Sequence, residues 1–436
     1  MQLPTNNFSS AYHASSLEVL ERSLKDIPFY RAWRALDPGA GRPVDERFQA
    51  LPVLGKADIR QYFPGGFIPQ GADFDTALAR GIIEYVATSG TTSEQVTNIW
   101  NQQWWDASER ASWQLNRVLS DATKSEHREA LLGSALSIGD IDDTGDIAYE
   151  DRLWKNYLFL NEKSSPLLWQ EKHYRRMIEE LARFQPDILE ANPSYLWHLC
   201  RYASQHNVSL HQPRAIIYTY ELPFAWQKRW IQRVFDCPCA SSYGSTELGY
   251  VFMECPYGRL HQNTRFVRVD FQPLAPEHGG HDMGRILVTT FGNPWYQIVR
   301  FDPGDIVRLS EAPCACGGRE GFVLEAIEGR FAYCTQDYRG RLITPRRLDA
   351  AMQGVDGISG YSLVQEAPGE YAIRVCADKP LSQAREEIVT ALQRVYGIEA
   401  KFFVEFCDAI QPEPSGKFCY SRSKCLPDIN HFIRTR

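Results

Sequence analysis

The strongest constraint on the fold is a regular alternation between residues 186 and 247. PDILEA, RAIIYTY and CASSYGSTE read as short strands, and NPSYLWHLCRYASQ and FAWQKRWIQRVF between them carry apolar residues at helical spacing. Asn192 and Pro193 open the first of these helices as a cap and a first-turn proline. Such alternation predicts an α/β body with largely parallel sheet, whose ligands lie beyond the carboxyl ends of the strands. The loops after those strands are therefore the places to look for chemistry.

Around this body the pattern varies. SSLEVLERSLKDIPFYRAWRAL reads as a helix interrupted at Pro28, and EKHYRRMIEELARF as a further helix. GIIEYVA is a strand candidate that runs into VATSGTTSEQV, and WWDASERASWQLNRVLSDA is a helix expected to turn Trp104, Ala107, Ala111, Leu115 and Val118 inward. From Phe266 to Leu309 strands follow one another without helices, a β subdomain. After GFVLEAIEGR come strands at YSLVQE, YAIRVCA and KFFVEFC with helices from Pro345 and over LSQAREEIVTALQRVYG, and then a Pro-rich tail loop. The expected architecture is α/β: a large N-terminal domain, residues 1–328, with mainly parallel sheets plus a β subdomain at about 265–328, and a small α+β domain, residues 329–436.

Composition narrows the function classes. A net charge of −7 argues against a generic nucleic-acid surface, which would carry a basic excess, and directs attention to small-molecule substrates. No run of 18 apolar residues and no basic, apolar leader occurs, so a cytoplasmic protein without a membrane span is expected. The 11 cysteines, all after position 199, form a poor disulfide framework and leave two readings, a metal site or buried thiols.

Several loops carry chemistry-bearing residues. Thr88, Ser89, Gly90, Thr91, Thr92 and Ser93 crowd hydroxyls around one glycine, which suits either a solvated turn or a loop donating hydrogen bonds to phosphates. Tyr243, Gly244, Thr246 and Glu247 offer an aromatic face, small residues and a carboxylate suited to Mg²⁺; Ser-Thr-Glu is equally a helix cap. RFDPGD ends in Asp305, which can accept two hydrogen bonds or simply close a turn. Cys255 and His261 in C-x5-H spacing, with Cys314 and Cys316 in a C-x-C knuckle, supply four soft or borderline ligands for Zn²⁺, against the alternative of four unrelated buried groups. Cys237 and Cys239 read as core. Neither a Walker A ending nor a G-x-S-x-G elbow is present.

Taken together, ATSGTT at 87–92, YGSTE at 243–247, RFDPGD at 300–305, IEGR at 327–330 and PSGK at 414–417 resemble the adenylate-forming (acyl- and aryl-CoA synthetase) superfamily, and within it the phenylacetate–CoA ligase branch. The resemblance implies an ATP-dependent ligase in which Ser89, Gly90, Thr91 and Thr92 hold phosphates. Tyr243, Gly244 and Thr246 then line the nucleotide site, Glu247 takes Mg²⁺ and Asp305 takes the ribose. It makes Lys417 the catalytic lysine, carried on a mobile C-terminal domain, with Arg330 assisting at the phosphate or ribose. It gives Cys255, His261, Cys314 and Cys316 as a structural Zn²⁺ clamp. The implied partners are a carboxylic acid, an aryl or an amino acid among the options, and an acceptor: CoA, an amine or a carrier-protein thiol. A homodimer is left open.

The match departs from the family at three places. Ser93-Glu94-Gln95 replaces the usual Gly-Lys-Pro, GRFAYC lacks acidic hinge residues, and GRLITP lacks the stretch associated with the thioester-forming conformation. Adenylation is thus better supported than transfer to CoA. A non-catalytic nucleotide-binding relative is the alternative from a different class. LLGSALSIGDIDD and Tyr220-Glu221 occupy the positions of the family's acid pocket without resembling a phenylacetate site.

Overall fold

The computed structural model describes residues 8–88, 95–133, 146–160, 163, 165–317, 320–377, 381–413 and 416–434. The chain forms two compact units, one of Met1–Ser120, Ser242–Leu274 and His281–Ala326, the other of Asp121–Ser241, Ala275–Gly280 and Ile327–Arg436. The strand Cys239–Ser245 begins in the second and ends in the first.

In the first unit the strands after residue 248 pair antiparallel. Val267–Pro273 pairs with Met283–Thr290, which pairs with Asp305–Leu309. Leu260–Gln262 lies between Val323–Arg330 and Gly249–Glu254, and Gly249–Glu254 continues onto Ser242–Ser245. Every residue of Met283–Thr290 is buried, as a strand paired on both edges and covered on both faces must be. The helix Ser10–Asp26 is capped by the Ser9 hydroxyl, and a 3₁₀ helix, Phe29–Ala35, follows the break at Pro28.

One expectation in this unit needs correcting. The segment after Asn101 is two helices, Gln102–Trp113 and Arg117–Ala122, separated where the Asn116 carboxamide oxygen accepts from the amides of Val118 and Leu119. The buried residues of the first are Trp104, Ser108, Ala111, Ser112 and Trp113, whereas Ala107, Leu115 and Val118 are only half-buried. Polar anchoring decides the face: Trp104 Nε1 donates to the Phe291 carbonyl and the Tyr250 amide donates to Ser108 Oγ. A further strand, Thr97–Trp100, pairs antiparallel with Glu84–Ala87, so the hydroxyl-rich stretch lies between two paired strands.

The second unit holds the parallel sheet. Glu129–Leu132, Ile188–Ala191, Ala215–Tyr218 and the start of Cys239–Ser245 run parallel in that order, with helices Glu171–Phe184, Pro193–Gln205 and Ala225–Val234 in the connections. The Asn192 cap accepts from the Ser194 amide as its position before Pro193 predicts. Cys237 and Cys239 pack against the core, as expected.

The C-terminal stretch of this unit has its own four-stranded sheet in the order Lys401–Phe406, Glu370–Ala377, Ile358–Ala367, Ser421–Ser423. The last of these strands falls where the sequence pattern predicts only a tail loop, because three polar residues between coil segments carry no periodic signal. Leu189, Leu196, Ile216 and Ile231 share one apolar cluster with Leu348, Tyr361, Ile373 and Leu392. No described helix is long and apolar enough to cross a membrane.

Gly329 fixes how the chain enters the C-terminal stretch. Its φ is +114°, and a Cβ there would stand 2.7 Å from Cγ of Pro345. The neighbouring Glu328 carboxylate accepts from the Thr344 hydroxyl at 2.6 Å, so strand end and helix start are stitched together on either side of the glycine. Gly329→Ala is expected to lower the unfolding free energy by about 1–3 kcal/mol, measured by denaturant titration; an unchanged midpoint and slope would contradict this assignment.

Candidate functional site

The first unit brings two of the sequence-predicted loops together. Strand Cys239–Ser245 and strand Gly249–Glu254 are joined by the turn Thr246–Leu248, and their pairing is irregular between Tyr243 and Gly244. Gly244 is required there: a Cβ on it would come within 2.1 Å of the Gly249 carbonyl oxygen. The kink leaves the Tyr243 hydroxyl donating to Asp305 Oδ2 at 2.7 Å, 62 residues away. Asp305 opens its strand immediately after Gly304, whose φ of +82° turns the chain and whose amide donates to Asp302. Burial holds the Asp302 carboxyl above its usual range despite the Arg285 guanidinium beside it.

Glu247 lies in the turn, 5% exposed. Its charge adds to burial in pushing the Tyr296 hydroxyl well above its ordinary titration range. Thr246 beside it is half-buried. The turn is a hairpin connection, so the alternative reading of Ser-Thr-Glu as a helix cap does not apply. Ser89, Gly90, Thr91 and Thr92 lie outside the described residues, with Ser93 and Glu94. At the mouth of that loop Thr88 and Val96 are doubly bonded, amide to carbonyl and amide to Thr88 Oγ1, which closes its two ends together.

The four candidate metal ligands also converge within the first unit. Cys255 ends the strand Gly249–Glu254 in a turn closed by its own amide on the Arg259 carbonyl, and His261 follows on Leu260–Gln262. Cys314 and Cys316 flank a turn closed by the Gly317 amide on the Cys314 carbonyl. The ligating atoms of all four lie within 4.8 Å of one another, with Cys255 Sγ to Cys314 Sγ at 3.6 Å and Cys316 Sγ to His261 Nε2 at 3.2 Å. A tetrahedral ion with bonds of about 2.3 Å to sulfur puts its ligands about 3.8 Å apart, so the donor set fits the size and the chemistry of such an ion. Burial works against ionisation of Cys314, but hydrogen bonds from Cys316 and Cys255 outweigh it and hold the thiol below its ordinary value.

Arg330 and Lys417 both belong to the second unit. Gly416, with φ +75°, and Lys417 close a turn in which the Gly416 amide donates to the Glu413 carbonyl and the Glu413 amide to the Lys417 carbonyl. Glu413 also accepts from the Tyr333 hydroxyl at 3.0 Å. Tyr333 is pushed well up by burial, against the opposing charge of Arg330. Tyr333, three residues after Arg330, is therefore linked through Glu413 to Lys417. Sequence alone places Tyr220-Glu221 only as a pocket position. The structure shows Glu221 bonded to the Phe418 amide and the Ser194 hydroxyl. Its one sequence signal is a non-glycine pair at the carboxyl end of a parallel strand.

Comparison with known proteins follows the same lines. Residues 336–424 match the family described as the CapK C-terminal domain. Protein CapK of Staphylococcus aureus is 22% identical over 244 residues, 55% of this chain and 53% of that protein, so the match spans about half the relative's length. Among solved structures, 2-hydroxyisobutyryl-CoA ligase in the postadenylation state with 2-HIB-AMP gives a TM-score of 0.69 at 17% identity, covering 97% of this chain and 90% of that one. The amide bond synthetase McbA of Marinactinospora thermotolerans gives 0.52 at 14% identity, covering 80% and 70%. At these identities the likeness is one of fold, and the chain carries the fold of the adenylate-forming ligases.

Proposed function

We propose that the chain is an adenylating ligase of the phenylacetate–CoA ligase-like branch, which converts a carboxylic acid and ATP into acyl-AMP and pyrophosphate and then passes the acyl group to an acceptor. The observation that carries this reading is the Tyr243–Asp305 hydrogen bond, which sets an aromatic ring beside a carboxylate able to accept from ribose hydroxyls. A chain with this fold and that pairing is equipped to hold an adenosine.

The residues divide the work by charge. The substrate carboxylate attacks the α-phosphorus, its new O–P bond forms as the bond to the pyrophosphate oxygen breaks, and pyrophosphate leaves. Two anions must meet, so a cation at the meeting point lowers the barrier, and Lys417 supplies it. Ser89, Gly90, Thr91 and Thr92 would donate to the departing phosphates, and Arg330 would assist at the phosphate or ribose. Glu247 would hold Mg²⁺, which neutralises phosphate charge when bound. In the second step the acceptor displaces AMP, so no nucleophile of the protein is needed. CoA is the lead acceptor; the fold shared with McbA, an amide bond synthetase, supports an amine as the second reading. The resemblance makes 329–436 a mobile domain, and such a motion would have to release Phe418 from Glu221 and Tyr420 from Phe224.

Cys255, His261, Cys314 and Cys316 would hold a structural Zn²⁺ that ties the turn after Glu254 to the Cys314–Cys316 knuckle. Elemental analysis is expected to give about one zinc per chain, falling to a small fraction of that in Cys314→Ser. A metal-free, normally folded protein whose thiols at these positions titrate freely would refute the site.

Lys417→Ala is expected to slow carboxylate-dependent exchange of labelled pyrophosphate into ATP by at least tenfold, about 1.4 kcal/mol of barrier, with an unfolding midpoint like that of the parent. A fully active variant would remove Lys417 from the mechanism.

A further inference from the structure

The peptide unit that follows Lys417 is held at both poles. Its carbonyl, on Lys417, accepts from the Glu413 amide at 2.7 Å, and its N–H, on Phe418, donates to Glu221 Oε1 at 2.7 Å. The first bond is local to the turn. The second spans 197 residues, from just past the carboxyl end of the parallel strand Ala215–Tyr218.

Glu221 is itself placed by several elements of the second unit. Tyr220 before it has φ +70°, a left-handed conformation that a side chain adopts at a cost and that is retained where surrounding structure imposes it. The Glu221 amide donates to the Thr219 carbonyl, a tight turn that directs the side chain. Glu221 Oε2 accepts from Ser194 Oγ at 2.7 Å, at the start of the helix Pro193–Gln205. Ser194 Oγ in turn accepts from Gln227 Nε2 at 3.0 Å and lies 3.2 Å from the Tyr420 hydroxyl. Ser194 is 1% exposed and Gln227 0%, so the carboxylate hangs on a fixed and fully buried scaffold.

We propose that Glu221 is the positioning residue for Lys417: one carboxylate oxygen fixes the peptide unit that follows the lysine, and the carboxylate charge attracts its ammonium. The inference rests on Lys417 being the catalytic lysine. Lysine has a flexible four-carbon stem and loses much rotamer freedom when aimed at one point. Clamping its backbone and offering one opposite charge reduces the number of states to be searched before reaction. Burial raises the Glu221 carboxyl above its ordinary range, while Ser194, the Phe418 amide, the Lys417 charge and Asn192 pull it back.

Glu221→Gln keeps an oxygen for the Phe418 amide but removes the charge, and so separates the two roles. With N-acetoxysuccinimide at pH 8 and peptide mass spectrometry, Lys417 in the full chain is expected to acylate about threefold faster or more, because loss of the carboxylate lowers the lysine's proton affinity. Pyrophosphate exchange with benzoate, phenylacetate or acetate, whichever the parent uses, is expected to fall about tenfold in kcat with the KM for ATP changed less than about twofold. Glu221→Asp, which restores the charge, is expected to recover parental acylation and part of kcat. A folded Glu221→Gln protein with parental acylation and kcat would overturn the proposal. Ser194→Ala, which strips one hydrogen bond from the same carboxylate, replaces it if its unfolding midpoint drops, with smaller shifts in the same directions expected and none overturning. The acylation readout needs no turnover, so a parent that exchanges no pyrophosphate would count against the adenylation reading and leave this test standing.

Discussion

The second unit depends on one shared apolar core. Residues of the parallel sheet and its helices, Leu189, Leu196, Tyr218, Phe224 and Trp226, and residues of the C-terminal stretch, Tyr361, Ile373, Phe418 and Tyr420, are all members of it. Phe224 and Tyr420 meet with ring centroids 4.4 Å apart, an edge-on contact of the kind aromatic pairs favour. Removing such side chains from water is the dominant favourable term in folding. Here the same burial brings the loop bearing Lys417 up to the carboxyl end of a parallel strand. Packing and the placement of Lys417 are one event in this unit, which is why buried Ser194 and Gln227, with half-buried Glu221, are tolerated beside the core: each member is hydrogen-bonded.

The first unit reaches its arrangement by backbone means instead. Gly244 lets two strands approach more closely than any side chain would allow, Gly304 turns the chain into Asp305, and the hydrogen bond between Tyr243 and Asp305 follows from the two. The Cys255, His261, Cys314 and Cys316 cluster is a second product of tight turns on neighbouring antiparallel strands. In both cases the residues are far apart in sequence, and the strands and turns of the first unit bring them together.

Much of this organisation is legible in the residues themselves. The strand–helix alternation from 186 to 247, the Asn192-Pro193 helix start and the C-x5-H and C-x-C spacings each have a local physical cause, and a local pattern is enough to find them. What escapes depends on contacts that no local pattern encodes. The inward face of Gln102–Trp113 is set by hydrogen bonds from Trp104 and to Ser108, and the break at Asn116 takes Leu115 and Val118 out of that helix, so counting apolar residues along one continuous helix misplaces Ala107, Leu115 and Val118. The strand Ser421–Ser423 exists only because Ile358–Ala367 offers it an edge. Glu221 stands out in the sequence only by its position, and its bond to Phe418 joins segments 197 residues apart with no signature in either.

The proposed chemistry turns on formation of an acyl-adenylate. Incubating the chain with ATP, Mg²⁺ and a panel of aryl, small aliphatic and amino acids, then separating the products by mass spectrometry, tests that chemistry directly. An adenylating chain gives acyl-AMP and pyrophosphate with at least one class of acid and none without acid. ATP bound and returned intact across the whole panel, by a folded protein, would contradict the proposed chemistry.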